Sequence, residues 1–156
     1  MADPPPNVLE LINAHVTGFD AAMGLRYVRA TARELIAETS IGDQHLQPYG
    51  LVHGGVYAGM IEALCSTGAA LSVMERGGSA VGLENTTSFL RAARGGVLRC
   101  VARPLHQGRS TQVWQAEVRD GEERLLATGR VRLQVLERGQ EAAGKVVALR
   151  RPAGEG

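Results

Sequence analysis

Between Val56 and Met74 the chain carries a single charge, Glu62, close to the middle of its most apolar stretch. This run is too long for one strand and is rich in helix formers. Gly54 and Gly55 stand before it and "ERGG" at 75–78 closes it, so the pattern predicts a helix from about 55 to 75. A helix that is apolar most of the way round has to be buried, and the rest of the chain must supply the cover. With 156 residues there is enough chain for one domain with a real core.

Strand character dominates the chain after residue 78. "SAVGLENTTSFLRAA", "GGVLRCVARPLHQG", "RSTQVWQAEVRD" and "RLLATGRVRLQVLE" each read as a strand, and "DGE" at 120–122 gives a hairpin turn signal. In the third run Val113, Gln115 and Glu117 alternate with Trp114, Ala116 and Val118. Upstream, "GLRYVRATARELIAETSI" reads as two short strands, one around Leu25, Tyr27 and Val28 and one from Ala32 to Ile41. "GDQHLQPYGLV" has the Gly, Asp and Pro of a loop. Val8, Leu11, Ile12 and Val16 sit at helical spacing behind a proline-rich lead-in, with Asn7 as the N-cap. The expected organisation is therefore a lead-in and short helix over 1–17, a domain over 18–136, and a mobile tail over 137–156. The expected fold class is α+β, one long helix with five or six antiparallel strands curling about it.

Composition removes several classes. A net charge of +1 offers no field for nucleic acid or an acidic membrane, and 4% aromatic residues make a poor base-stacking surface. A bilayer-spanning reading of Val56–Met74 would place Glu62 near mid-membrane, at a cost of a few kcal/mol or more. Cys65 and Cys100 show no metal-ligand spacing and are expected as buried free thiols, in keeping with a reducing cytoplasm. "MADPPPNVLE" lacks the basic-then-apolar order of a secretory leader. No metal is expected.

The remaining question is what the lone carboxylate does. At 100° per residue, Val56, Met60, Ile61, Leu64 and Leu71 gather on one side of the helix. Glu62 falls on the other, among Ala58, Gly59, Cys65, Ser66, Ala69 and Val73. Small residues let another group approach closely and leave room for a bulky ligand, and Ser66 lies one turn from Glu62. A carboxylate in apolar surroundings must be paired, hydrogen-bonded or shifted in pKa, which makes it a candidate base or nucleophile. "HGG" at 53–55 starts the helix, where backbone N–H groups lack internal partners and can polarise a carbonyl oxygen. Eight helical residues rise about 12 Å, so one helix cannot bring Gly54 and Glu62 to the same atom. A site that uses both must be shared between two subunits.

At these residues the sequence resembles the acyl-CoA thioesterases of the phenylacetic-acid-degradation type, which have the hotdog fold and are related to the Arthrobacter-type 4-hydroxybenzoyl-CoA thioesterases. "QPYGLVHGGVYAGMIEALCS", "GLENTTSFLRAA" and "PLHQGRSTQVWQAEVRDGEERLLATGRVRLQVLE" carry the likeness over residues 18–136. The resemblance implies a homodimer, often paired into a tetramer, that hydrolyses an acyl-CoA to free acid and coenzyme A. No cofactor is implied, because coenzyme A is part of the substrate. It implies Glu62 as nucleophile or general base, Gly54 as backbone oxyanion donor, and Gln47, His53 and Ser66 as further catalytic residues, with Gln47 near the thioester. It implies Asn85, Thr86 and Phe89 along the thioester and pantetheine channel, and His106, Arg109 and Ser110 near the coenzyme A phosphates. For His53 and Arg109 the residues alone also allow a loop-fixing histidine and a solvated turn arginine. Two other functions fit the fold. A hotdog hydratase or dehydratase would pair a histidine with a partner's carboxylate, but here His53 directly precedes the glycines. A non-catalytic acyl-CoA-binding module would fold without cleaving thioesters.

Overall fold

A computed structural model describes residues 6–31 and 33–148. The expected lead-in before Pro6, Ala32 and the last eight residues of the tail lie outside the described residues. The elements run α1 (Val8–Ala14), α2 (Gly18–Ala22), β1 (Arg26–Ala30), β2 (Leu35–Ser40), α3 (Gly54–Met74), β3 (Ser79–Phe89), β4 (Val97–Gln107), β5 (Thr111–Arg119) and β6 (Leu125–Leu136). Six strands form one antiparallel sheet in the order β1-β2-β4-β5-β6-β3. β3 is therefore an edge strand, although it is the first to come after α3.

The sheet wraps α3 as the apolar run demands. Leu98, Cys100 and Ala102 of β4, Trp114, Ala116 and Val118 of β5, and Val131 and Leu133 of β6 all turn inward and are buried. Alternation in these strands is what lays one apolar face against the helix. Trp114 reaches Gly68 so closely that a β-carbon there would stand 2.5 Å from its ring. Its Nε1 donates to Gln112 Oε1 at 2.8 Å, and Gln112 Nε2 donates to Ser72 Oγ at 2.8 Å. The indole and the buried amide are thus both satisfied inside the core. Among the described residues α3 is the one helix long and apolar enough to cross a membrane, yet here it is the core helix of the sheet.

Several local expectations change. Asn7 stands at the N-cap of α1, but its side chain makes no capping bond. Val8 and Ile12 of α1 join the main core. The turn signalled by "DGE" does join β5 and β6 as a hairpin, over residues 120–124: Asp120 Oδ1 accepts from the N–H groups of Glu122 and Arg124, both at 3.0 Å, and Glu123 takes the left-handed conformation at φ 59°. The aspartate organises a longer turn by accepting from backbone beyond it. In the tail, Glu141–Ala142 pairs with Lys145–Val146 as a small hairpin of β7 and β8, separate from the main sheet.

The small-residue side of α3 is also less open than the wheel suggests. Cys65, Ala69 and Val73 are buried, because the sheet curls round to that side and the chain entering β3 packs Gly78 on Val73. Leu71, placed on the buried side by the wheel, is half-buried. The partly open stripe narrows to Ala58, Gly59, Glu62, Ser66 and Ala70.

Candidate active site

Glu62 sits on that stripe with each carboxylate oxygen engaged. Ser66 Oγ, one turn along, donates to Oε1 at 3.1 Å. Asn85 Nδ2, from β3, donates to Oε2 at 2.9 Å. Gly82 of the same strand makes room: a β-carbon there would lie 2.6 Å from Oε1. Gly82 and Asn85 are three residues apart and would point to opposite faces of a regular strand. A bulge between Gly82 and Glu84 resets the alternation, and both face the helix. The apolar surroundings are thus answered by hydrogen bonding, one of the routes open to a half-buried carboxylate.

Beyond Asn85, strand alternation brings Thr87 and Phe89 to the same face. The Phe89 ring lies over Gly54, 2.8 Å from where a β-carbon would be, and its centroid is 6.0 Å from that of Tyr57. Thr86 turns the other way: its hydroxyl donates to Glu84 Oε1 at 3.2 Å, and Glu84 pairs with Arg132. Of the three β3 residues expected along a substrate channel, Asn85 therefore meets Glu62, Phe89 meets the start of α3, and Thr86 meets neither.

At the helix start, His53 is the N-cap, and its Nδ1 accepts from Gly55 N–H at 2.8 Å. This is the loop-fixing role, with the ring proton on Nε2. Val56 N–H is taken by the His53 carbonyl at 2.9 Å. The Gly54 N–H has no acceptor among the described residues. Gln47 is half-buried in the preceding loop; its backbone N–H donates to the Leu51 carbonyl, and its Oε1 accepts from Tyr49 N–H at 3.3 Å. That loop hangs on His45, a residue no sequence pattern singles out. Its imidazole is buried, accepts from Gly42 N–H through Nδ1 at 2.9 Å, and donates through Nε2 to the Met23 carbonyl at 3.0 Å. The histidine stands in a Gly-, Asp- and Pro-containing loop pattern, which carries no periodicity to mark it as buried.

The helix is unbroken from Gly54 to Met74, so Gly54 and Glu62 remain about 12 Å apart along its axis. Arg109 and Ser110 stand in the β4–β5 turn, and His106 is near the end of β4. Arg109 lines a cavity of about 350 Å³ with Arg76, Gly78 and residues 135–138, beside the C-terminal end of α3. Within one chain this turn and Gly54 occupy opposite ends of the helix. α2, also unread in the sequence, covers Gly59 with Phe19, and Met23 just after it sets its Sδ 2.7 Å from where a β-carbon would be. The room expected over Ala58 and Gly59 is therefore partly filled by the protein itself. The signal for α2 was the i, i+4 spacing of Phe19 and Met23, too short to stand out.

Helix, wrapping sheet and a carboxylate placed mid-helix define a hotdog protein. The thioesterase superfamily model matches residues 49–127. A Mycobacterium tuberculosis protein named as a candidate esterase, Rv1847, is 38% identical over 136 residues, which cover 86% of this chain and 96% of that protein. The 1,4-dihydroxy-2-naphthoyl-CoA hydrolase of Listeria monocytogenes is 30% identical over 118 residues, or 76% of this chain and 95% of the enzyme. The crystal structure of thioesterase HI1161 from Haemophilus influenzae superposes with a TM-score of 0.82 at 27% identity, covering 90% of this chain and 99% of that one. The chain belongs to the thioesterase superfamily, with the hotdog fold, and is a thioester hydrolase.

Proposed function

We propose that the protein hydrolyses an acyl-CoA to the free acid and coenzyme A, in the manner of the phenylacetic-acid-degradation type, at a site shared by two subunits. The observation that carries this reading is the ionisable side chain of Glu62, held through both oxygens on the open stripe of a core helix. Glu62 either attacks the thioester carbonyl carbon, expelling the coenzyme A thiolate and forming an anhydride that water then hydrolyses to the free acid, or takes a proton from the water that attacks the thioester directly. The developing oxyanion is met by the Gly54 N–H of the other subunit, because 12 Å of helix separates the two groups within one chain. Ser66 steadies Glu62, and Gln47 and His53 shape the loop on the oxyanion side. The reaction draws on no further cofactor.

The long, exposed β3 edge supports a homodimer, since its outer backbone groups are open to pairing with a second copy. Two such dimers pair into the tetramer. The turn with His106, Arg109 and Ser110 holds the phosphates of coenzyme A, where a guanidinium and a hydroxyl suit phosphate oxygens. The acyl group is aromatic or medium-chain. Both phenylalanines of the chain support this: each lies over a glycine of α3 and each is more than half exposed, Phe19 at 66% and Phe89 at 57%. Such an enzyme would work in the cytoplasm, where acyl-CoA is available.

The test is thiol release from a panel of benzoyl-, phenylacetyl-, hydroxynaphthoyl- and straight-chain acyl-CoA substrates. Turnover that vanishes in Glu62→Ala supports the reading. A folded dimer inert on every member overturns it.

A further inference from the structure

We propose that Asn85 is a positioning residue for Glu62, rather than a contact for substrate, and that Thr87 sets the orientation of its amide. The inference rests on the reading of Glu62 as the reacting carboxylate. Asn85 Nδ2 donates both to Glu62 Oε2, at 2.9 Å, and to the Ala58 carbonyl, at 3.2 Å. Thr87 Oγ1 donates to Asn85 Oδ1 at 2.7 Å. Turning the amide over would set its oxygen against two acceptors, so the network leaves one orientation. The amide therefore has both of its ends engaged within the protein.

The consequence falls on Glu62. A glutamate on a half-open helix face has three side-chain torsions to sample. Here Ser66 fixes one oxygen from the helix and Asn85 fixes the other from the sheet. Gly82 provides the space that lets the carboxylate lie against β3. Two donors from two elements hold the carboxylate in a single direction before substrate arrives, which lowers the barrier to reaction without adding to ground-state binding. The bulge after Gly82 belongs to the same device, because it is what brings Asn85 round to the helix. On its own helix the titratable group that feels Glu62 is the buried Cys65 thiol. On β3, Glu84 faces away and is paired with Arg132.

The experiment measures kcat and KM separately, with benzoyl-CoA and the best straight-chain substrate. The wild type is compared with Asn85→Ala, Asn85→Asp, Thr87→Val and Glu62→Gln. Circular dichroism and gel filtration establish that each variant folds and assembles. Asn85→Ala is expected to lower kcat about 10- to 100-fold with KM changed less than about threefold, and Thr87→Val to lower kcat less. Asn85→Asp keeps the shape but sets a second carboxyl beside Glu62. The pair then shares a proton, and the acid limb of the pH–rate profile moves to higher pH. A rise in KM with kcat retained in Asn85→Ala would make Asn85 a substrate contact and overturn the proposal, as would an unmoved acid limb in Asn85→Asp. Either result leaves the thioesterase reading intact as long as Glu62→Gln is inactive. Full activity in Glu62→Gln, or an inert wild type, brings down both.

Discussion

Two residues of α3 carry the sharpest expectations. Glu62→Gln keeps the size of the side chain and its contact with Ser66, but removes the charge that attacks or accepts a proton. Turnover of the best acyl-CoA is expected to fall about 10³-fold or more with an unchanged circular dichroism spectrum. Gly68 tests packing rather than chemistry. Gly68→Ala would force a methyl to within 2.5 Å of the Trp114 ring, which is itself pinned through Gln112 to Ser72. Overpacking of this kind costs about 1–3 kcal/mol, visible as a lower urea midpoint. The importance of Glu62 was legible from its isolation in an apolar run. That of Gly68 was not, because the residue it meets lies 46 positions away in another element.

At the scale of elements, α3 follows from the length and helix-forming composition of its apolar run, and β4, β5 and β6 from strand character, each being long enough for its pattern to exceed chance. The bulge in β3 and the short helix α2 do not. Both respond to what they pack against: β3 to the Glu62 side chain, α2 to the bare backbone at Gly59. α2 has a consequence for specificity. Phe19→Ala would remove the ring over Gly59 and open that side of the stripe, so the kcat/KM ratio of bulky to small acyl-CoA substrates is expected to rise several-fold. A substrate panel assayed on both proteins checks this. The cysteines of α3 and β4 give a separate handle. Cys65 and Cys100 are free and fully buried, and burial pushes both thiols well up from their ordinary value. They are expected to resist a thiol reagent in the native protein and to react together once it is denatured.

At the scale of the whole molecule, the proposed site is completed by a second copy. Glu62→Ala and Gly54→Val subunits, each expected to be inactive alone, are to be mixed under denaturing conditions and refolded together. Half of the random dimers would pair one of each, and each such dimer would hold one intact site. Activity of about a quarter of the wild type is expected, read by thiol release. No recovery from a mixture proven to exchange subunits would place the complete site within one chain.

The sequence by itself determined the central helix, the antiparallel sheet around it and the prominence of the carboxylate. Hydrophobic periodicity and a lone charge are local facts, readable wherever they occur. It also determined that Gly54 and Glu62 stand too far apart to act on one atom, because helical rise is the same in every context. Only the tertiary structure decided that Asn85 and Gly82 meet Glu62, that Phe19 and Phe89 lie over the helix glycines, and that His45 holds the loop before the site. Those contacts join residues distant in the chain across a bulge, a five-residue helix and a loop. Their conformations are set by the surfaces they pack against and not by any repeating pattern of their own.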